Sequence, residues 1–190
     1  MEVVGGILGA FGLSASAGLN AYIPLLTVAL LAKFTPLLSL NGRWEALTSW
    51  WTIGVLAVLA TVEFVADKVP AVDHVNDAIQ TLIRPAAGAI VFAASTDAIR
   101  DLNPILALIA GLFVAGSVHT VKSAAVRPLI TASTAGVGDP VISFIEDIVA
   151  SLVSVLSVVM PLMMLIVLIL VIWWIVTWLG NRRRARAVSR

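Results

Sequence analysis

Apolar residues fill most of the chain in long segments that short polar stretches separate. Residues 3–31, 50–66, 71–95 and 104–121 are each apolar over roughly the length that one membrane crossing needs, about 20 residues. Residues 140–179 are apolar for about 40 residues, roughly 60 Å as a single helix, so we expect a break at Pro161. The pattern predicts an all-α integral membrane protein, a polytopic helical bundle of about five to six membrane segments.

The segments suggest one transmembrane domain over residues 1–179, with candidate repeat halves at 5–95 and 102–160 and a last span at 161–179. No basic residue precedes the first segment, so we expect a membrane helix there and not a cleaved signal peptide. Residues 180–190 form a basic tail, which the positive-inside rule places in the cytoplasm. Whether 122–160 spans the membrane, re-enters it or lies at the interface is left open, as is the orientation of the N-terminus.

Two pairs of segments resemble each other in the same order. "PAVDHVNDAI" at 70–79 matches "PVISFIEDIV" at 140–149, which aligns Asp77 with Asp147. "GLSASAGLNAY" at 12–22 resembles "GLFVAGSVHTV" at 111–121, which aligns Asn20 with His119. These matches predict two pseudo-symmetric, inverted repeats with broken or re-entrant helices, and transporters built this way bind substrate where the repeats meet. Chance recurrence of small and β-branched residues is the alternative.

Several helical faces carry polar or small residues at the spacing of a helix. Two faces carry charges: Asp73, Asp77, Gln80 and Arg84 in 71–95, and Ser143, Asp147, Ser151, Ser154 and Ser157 in 140–160. Two further faces combine small and polar residues: Gly9, Gly12, Ser16 and Asn20 in the first segment, and Gly111, Ala115 and His119 in 104–121. Ionisable groups at membrane depth are costly and face a cavity or a partner, so these faces predict an enclosed polar centre. The alternative is ordinary helix packing by small residues.

Two cations stand directly before a proline, in Arg84-Pro85 and Arg127-Pro128. We expect the helix to be interrupted at both places, because proline removes a backbone donor. Backbone groups that a break sets free are tolerated where they line a cavity, and such breaks recur at ion and anion sites.

The candidate site combines carboxylates, cations, an amide and an imidazole. The predicted substrate- or ion-binding residues are Asn20, Asp77, Arg84, His119, Lys122, Arg127 and Asp147, with Glu63, Asp67, Lys68, Asp73, Asp139 and Glu146 as secondary candidates. Carboxylates could bind or relay protons or cations, and the arginines and Lys122 could hold an anion or a lipid phosphate. For Arg84 we predict Asp147 as the acidic partner, with Asp77 second.

Composition excludes several other classes of site. Of the residues, 60% are hydrophobic and 12% charged, about half the charged share of soluble domains, and the net charge of +1 does not suggest nucleic-acid binding. The chain has no cysteine and two histidines, so we expect no metal site and no cofactor. It has no HExxH, GxSxG or P-loop motif, so we expect no catalytic residues and no enzyme.

The segments "SASAGLNAYIPLL", "EFVADKVPAVDHVNDAIQTLIRPAAGA" and "GDPVISFIEDIVASLVSVL" resemble the bacterial membrane proteins grouped as domain of unknown function 4126. The resemblance covers residues 12–161, and the block ADKxPxxD…IRPxAG is its most specific part. It implies a compact multi-pass protein of the bacterial inner (plasma) membrane. It brings no established activity and no catalytic residues.

The function that these patterns favour is movement of a small solute or ion through a polar site between two repeat halves. A non-transporting membrane scaffold or accessory subunit is the alternative, with the polar faces holding helices together, and a lipid-phosphate-handling protein is another. The expected partners are the lipid bilayer and a small solute, an ion or a lipid headgroup, without nucleic acid. The substrate, the sign of its charge, a coupling ion and assembly into a homo-oligomer stay open.

The arginine-rich tail makes the topology testable. A reporter enzyme that works only in the periplasm, fused after Arg190, should be inactive, because the arginines that follow Leu179 hold the C-terminus in the cytoplasm. A fluorescent reporter that folds only in the cytoplasm should be bright at the same position. The opposite pair of signals would contradict the predicted orientation.

Overall fold

Most of the part of the chain that the computed structural model describes is helical. The structure describes residues 2–68, 70–96, 102–134 and 137–163, with the single residues 166, 169, 170, 173 and 177, and within these ranges it does not describe the side chains of residues 2, 70–75 and 77. Three described helical segments are long and apolar enough to cross a membrane, at Ala78–Thr96, Pro104–Thr134 and Asp139–Val159. A pair bent by 60°, Gly42–Thr48 with Trp50–Ala66, makes a fourth. The helical, membrane-type fold is therefore confirmed, and the count of five to six segments stays a prediction.

The first apolar segment is two helices and not the single one predicted over 3–31. Helix α1 is Glu2–Leu19 and helix α2 is Tyr22–Phe34. The break falls at Asn20, whose side-chain Oδ1 accepts hydrogen bonds from the backbone N–H groups of Tyr22 and Ile23. An asparagine that caps the second helix in this way competes with continuation of the first, which explains the break.

Helix α3 is Trp50–Ala66, as predicted, and a 3-10 turn at Gly42–Thr48 precedes it. Helix α4 is Pro70–Thr96 and runs through Pro85 without interruption, so the break expected at Arg84-Pro85 is wrong. Neighbouring helices can compensate for a missing backbone donor in a membrane helix. The ring of Pro85 faces Gly116, at ordinary contact distance from where a Cβ of residue 116 would lie.

Helix α5 is Pro104–Val121, with the side chain of Asn103 capping its first turn. A π-helical turn at Lys122–Val126 joins it to helix α6, Arg127–Thr134, so residues 122–134 continue the helical segment. The irregularity predicted near Arg127 is therefore present, one turn earlier than Pro128. Helix α7 is Asp139–Val159, and Met160 caps its C-terminal end. Pro161, which was predicted to break the last apolar segment, follows directly. Most of 161–179 and all of 180–190 lie outside the described residues.

Small residues let the helices α1, α4, α5 and α7 approach one another closely. Helix α1 packs against α4, α5 and α7, and α4 packs along α5. A Cβ at Gly88 of α4 would overlap Ala115 of α5 and lie 2.9 Å from the carbonyl oxygen of Gly111. A Cβ at Gly9 of α1 would lie 2.6 Å from the Ser157 carbonyl oxygen of α7. The small-residue faces predicted from the sequence thus meet one another.

Polarity is inverted relative to a water-soluble protein. The outward faces of α3, α5 and α7 expose large apolar side chains, including Trp51, Phe113 and Leu152, as lipid-facing surfaces do. The described interior holds charged and hydroxyl side chains, among them Arg84 and Glu63 with 0% side-chain exposure. The charges are therefore inside the bundle, where the sequence placed them.

The packing agrees only partly with the predicted repeat. The predicted repeat aligns α5 with α1 and α4 with α7. Helix α1 contacts α7, and α5 makes the corresponding contact with α4. Helices α1 and α4 also pack extensively, whereas their counterparts α5 and α7 barely touch. The pseudo-symmetry is not established by these contacts and stays a prediction.

The contact between α4 and α5 can be tested with matched glycine variants. Gly88→Ala should lower the Tm of the purified protein by several degrees, because the new methyl group forces two closely packed helices apart at a cost of about 1–3 kcal/mol. Gly54→Ala is the control, since nothing lies within 4 Å of a Cβ there. Thermal unfolding of both variants in detergent checks this, and equal Tm values would refute the close approach.

Candidate functional site

Six charged side chains form one continuous series of ion pairs in the interior. In spatial order they are Lys122, Glu146, Arg127, Asp67, Arg84 and Glu63, and we call them the ion-pair chain. Consecutive members lie 2.8, 3.8, 3.5, 3.6 and 3.0 Å apart. The chain joins the π-helical turn, α7, α6, α3 and α4, so five parts of the fold converge on it.

Arg84 is the most deeply buried cation of this chain. Its Nε and Nη2 donate to one carboxylate oxygen of Glu63 at 3.3 and 3.0 Å, and its Nη2 lies 3.6 Å from Asp67. The prediction that Asp147 is the acidic partner of Arg84 is therefore wrong. Glu63 lies in the last turn of α3 and Asp67 is the residue that caps the C-terminal end of that helix, so both reach Arg84 from the same side.

The other end of the ion-pair chain is built by α5 to α7. Lys122 lies 2.8 Å from Glu146, and Arg127 bridges Glu146 and Asp67 at 3.8 and 3.5 Å. The Arg127 guanidinium also donates to the hydroxyl of Ser143. The π-helical turn changes the direction of the residues after it, which allows Lys122 and Arg127 to point into the same interior.

Asp147 belongs to a separate pair beside the chain. One of its oxygens accepts from the Asn20 amide at 3.0 Å, and the other lies 2.9 Å from the ammonium of Lys68. The same ammonium donates to the backbone carbonyl of Phe64 and lies 3.3 Å from the centre of the Phe64 ring. We call this set, with the neighbouring ring of Phe144, the Lys68 site.

The helix break at Asn20 is part of this polar centre. Lys122 donates to the carbonyl oxygen of Leu19, the last residue of α1, at 3.0 Å. A cation at a helix C-terminus stabilises the carbonyl groups that have no helical partner. Asn20 caps the first turn of α2 and also holds Asp147, so the ends of two helices and a carboxylate of α7 are fixed together.

His119 connects α5 with the ion-pair chain. The guanidinium of Arg84 lies 3.1 Å from its Nδ1, and the hydroxyl of Thr81 lies 3.1 Å from its Nε2. Arginine can only donate hydrogen bonds, so Nδ1 accepts in the contact with Arg84. The imidazole therefore fixes two side chains of α4 from α5.

A series of hydroxyl groups leads away from Asp147 along the contact of α1 with α7. Ser16 lies 2.7 Å from Ser154 and donates to the carbonyl of Ala150, and Ser157 follows one turn further. Ser157 lines a cavity of about 870 Å³ together with Gly9 and Ser95. The cavity and Asp147 lie about 15 Å apart, judged from the ten residues of α7 between Asp147 and Ser157. Small and polar groups therefore connect the cavity with the charged centre.

The structure treats the remaining candidates differently. Asp139 lies apart from the centre, where it accepts from Thr131 near the start of α7. Ser151, expected on the polar face of α7, is exposed. The side chains of Asp73 and Asp77 lie outside the described residues, and Gln80, on the same predicted face, is buried. Thr81 was missed, although its position three residues before Arg84 placed it near that face.

The formal charges of the described centre cancel. It contains four cations, Lys68, Arg84, Lys122 and Arg127, and four carboxylates, Glu63, Asp67, Glu146 and Asp147. One oxygen of Glu63 and the amide oxygen of Gln80 have no hydrogen-bond partner among the described residues. No group of three or more acidic or histidine side chains in the described part has the arrangement of a metal site.

One known family matches the part of the chain that carries these charges. The model described as "Domain of unknown function (DUF4126)" matches residues 7–181. The chain belongs to the DUF4126 family. The match extends beyond residues 12–161 at both ends and includes almost the whole chain. No curated protein and no solved structure matches it.

Arg84 tests whether the ion-pair chain holds this DUF4126 protein together. Arg84→Met should lower the free energy of unfolding by about 3–5 kcal/mol, because it leaves Glu63 buried without its cation and Asp67 with Arg127 alone. Adding Glu63→Gln should recover part of the loss. The exposed Arg43→Met is the control and should have little effect. Denaturant titration in mixed micelles measures all of these variants, and an Arg84→Met protein as stable as the parent would refute the role of the pair.

Proposed function

We propose that this protein moves a small solute or ion across the membrane through the polar centre. The observation that carries the proposal is the placement of eight ionisable side chains inside a bundle whose outer faces are apolar. Buried charges in membrane helices are costly and mark ion pathways and coupling sites more often than surface charges do. The proposal includes five to six membrane segments and a cytoplasmic C-terminus.

The helix break supports transport over a purely structural role. The break at Asn20 puts the last carbonyl group of α1 and the first N–H groups of α2 next to Asp147. Discontinuous helices of this kind supply backbone groups to substrates and ions in transporters. The hydroxyl series through Ser16 and Ser154 offers further hydrogen-bonding groups between this point and the cavity.

A non-transporting scaffold or accessory subunit is the second candidate function. It is favoured by the cancellation of charge, since every described cation of the centre has a carboxylate within 4.0 Å. In that case the ion pairs would only fix the helices in place. The same cancellation gives less support to a lipid-phosphate-handling protein, because a phosphate needs cations that carboxylates do not already neutralise.

Two aspartates of α7 separate these functions. In proteoliposomes, Asp147→Asn should reduce cation or proton flux about tenfold or more, because it removes charge-assisted bonds worth about 1.5–3 kcal/mol. Asp139→Asn is the control on the same helix and should keep most of the flux. Ion-sensitive dyes inside the vesicles, under gradients of Na⁺, K⁺ and H⁺ in turn, measure the rates.

The scaffold predicts a different result. It predicts no flux above that of protein-free vesicles in the parent protein under any of these gradients. It also predicts that Asp147→Asn changes only the stability. A parent protein that is folded and monodisperse but conducts none of these ions and no small solute would contradict the proposed function.

A further inference from the structure

The ammonium group of Lys68 occupies a small site with the features of a cation-binding pocket. A carboxylate oxygen of Asp147 and the carbonyl oxygen of Phe64 each lie 2.9 Å from Nζ. The face of the Phe64 ring is 3.3 Å from Nζ, and the Phe144 ring centre is 6.0 Å away. One full negative charge, one carbonyl dipole and aromatic faces are the groups that bind a small organic or alkali cation.

The site is fixed independently of Lys68. Asn20 holds the second oxygen of Asp147 at 3.0 Å, and Asn20 is itself fixed by the start of α2. The rings of Phe64 and Phe144 contact each other edge to face. The lysine side chain is 22% exposed, in contrast to the 0% of Arg84, so the Lys68 site lies nearer the surface of the bundle than the ion pair of Arg84 does.

Lys68 lies two residues beyond the end of α3, so its side chain can leave the site while the helix stays in place. Across the gap between α3 and α7, the described contacts are those of the Lys68 site. Withdrawal of the ammonium by rotation of the side chain leaves the Phe64 ring in position. It also leaves Glu63 and Asp67 with their partners Arg84 and Arg127.

We propose that the Lys68 site binds a small monovalent cation, of which a primary alkylammonium ion is the best match, and that Lys68 occupies this site when the cation is absent. A primary alkylammonium ion is the best match because the group that occupies the site in this structure, the ammonium of Lys68, is itself a primary ammonium. Charge balance supports the exchange, because withdrawal of Lys68 leaves Asp147 with one uncompensated negative charge. The inference rests on the proposed function for its role in transport, but the binding event itself can be measured separately.

The first test empties the site by substitution. Lys68→Met in the full-length protein should respond to the cation more strongly than the parent does, because Lys68 competes for the site in the parent. Methylammonium chloride should raise its Tm by about 2–4 °C relative to choline chloride of the same ionic strength. NaCl and KCl show whether an alkali ion can replace the ammonium ion. The Lys68→Met, Asp147→Asn double variant should lose the response, because it lacks the carboxylate.

A second lysine in the chain offers a matched control. Lys33 also donates to a backbone carbonyl, that of Thr48, and lies 4.5 Å from the centre of the Trp50 ring, but no described carboxylate lies within 4.0 Å of it. Lys33→Met should show no difference between methylammonium and choline. A response of equal size in this variant would mean that the salt acts on the protein in general, which would overturn the proposal.

The second test uses the parent protein and covers the case in which Lys68→Met does not fold. Bound methylammonium should displace Lys68 and raise the rate at which an amine-reactive reagent acylates it, relative to Lys33 in the same sample, by about threefold or more at saturation, with choline as the balancing salt. The ratio to Lys33 corrects for the reagent that methylammonium itself consumes. Peptide mass spectrometry gives both rates. Constant acylation of Lys68, together with no Tm response in a folded Lys68→Met protein, would overturn the proposal, and if that variant does not fold, constant acylation alone would overturn it.

The outcomes also separate this inference from the proposed function. Cation-dependent displacement of Lys68 in a protein that shows no flux would support the binding site and contradict transport. Flux that needs Asp147, in a protein whose Lys68 ignores every cation tested, would support transport and overturn the exchange.

Discussion

The free-energy cost of burying charge is the constraint on which the rest of this structure depends. Each ion taken from water into an apolar interior costs several kcal/mol unless another charge and hydrogen bonds compensate it. The ion-pair chain from Lys122 to Glu63 meets this condition by using residues from five parts of the fold. Every helix that contributes to it must therefore hold its position, since a shift of one helix would leave another helix's charge without a partner.

Close helix packing is the second requirement, and it depends on the smallest side chains. Gly88, Gly111 and Gly18 allow α1, α4 and α5 to approach at backbone distance, which holds Arg84 of α4 and the π-helical turn after α5 in one polar centre. Larger residues would separate the helices, and the charged side chains would then no longer span the gaps between them. Small side chains where the helices pack and charged side chains in the polar centre are thus both required for the same arrangement, although they belong to different residues.

Much of this arrangement could be predicted from local spacing. The inward face of α4, the bounds of α3 and the end of α7 follow from periodicity and from proline. The acidic partner of Arg84 could not be predicted, because Glu63 and Asp147 are both carboxylates and the sequence does not distinguish them. Only the packing of α3 against α4 decides between them. The break at Asn20 was missed for a related reason: a capping asparagine within an apolar segment does not change its hydropathy. The side chain of Asp77 lies outside the described residues, so its prediction is unchanged.

The contact of Arg84 with His119 joins helix α5 to the ion-pair chain. The Nδ1 of His119 lies 3.1 Å from the guanidinium of Arg84 on α4, and the same guanidinium donates to Glu63 of α3. A movement of α5 that carries His119 away would therefore remove a contact from the side chain that holds Glu63. One arginine thus transmits a displacement of α5 to α3.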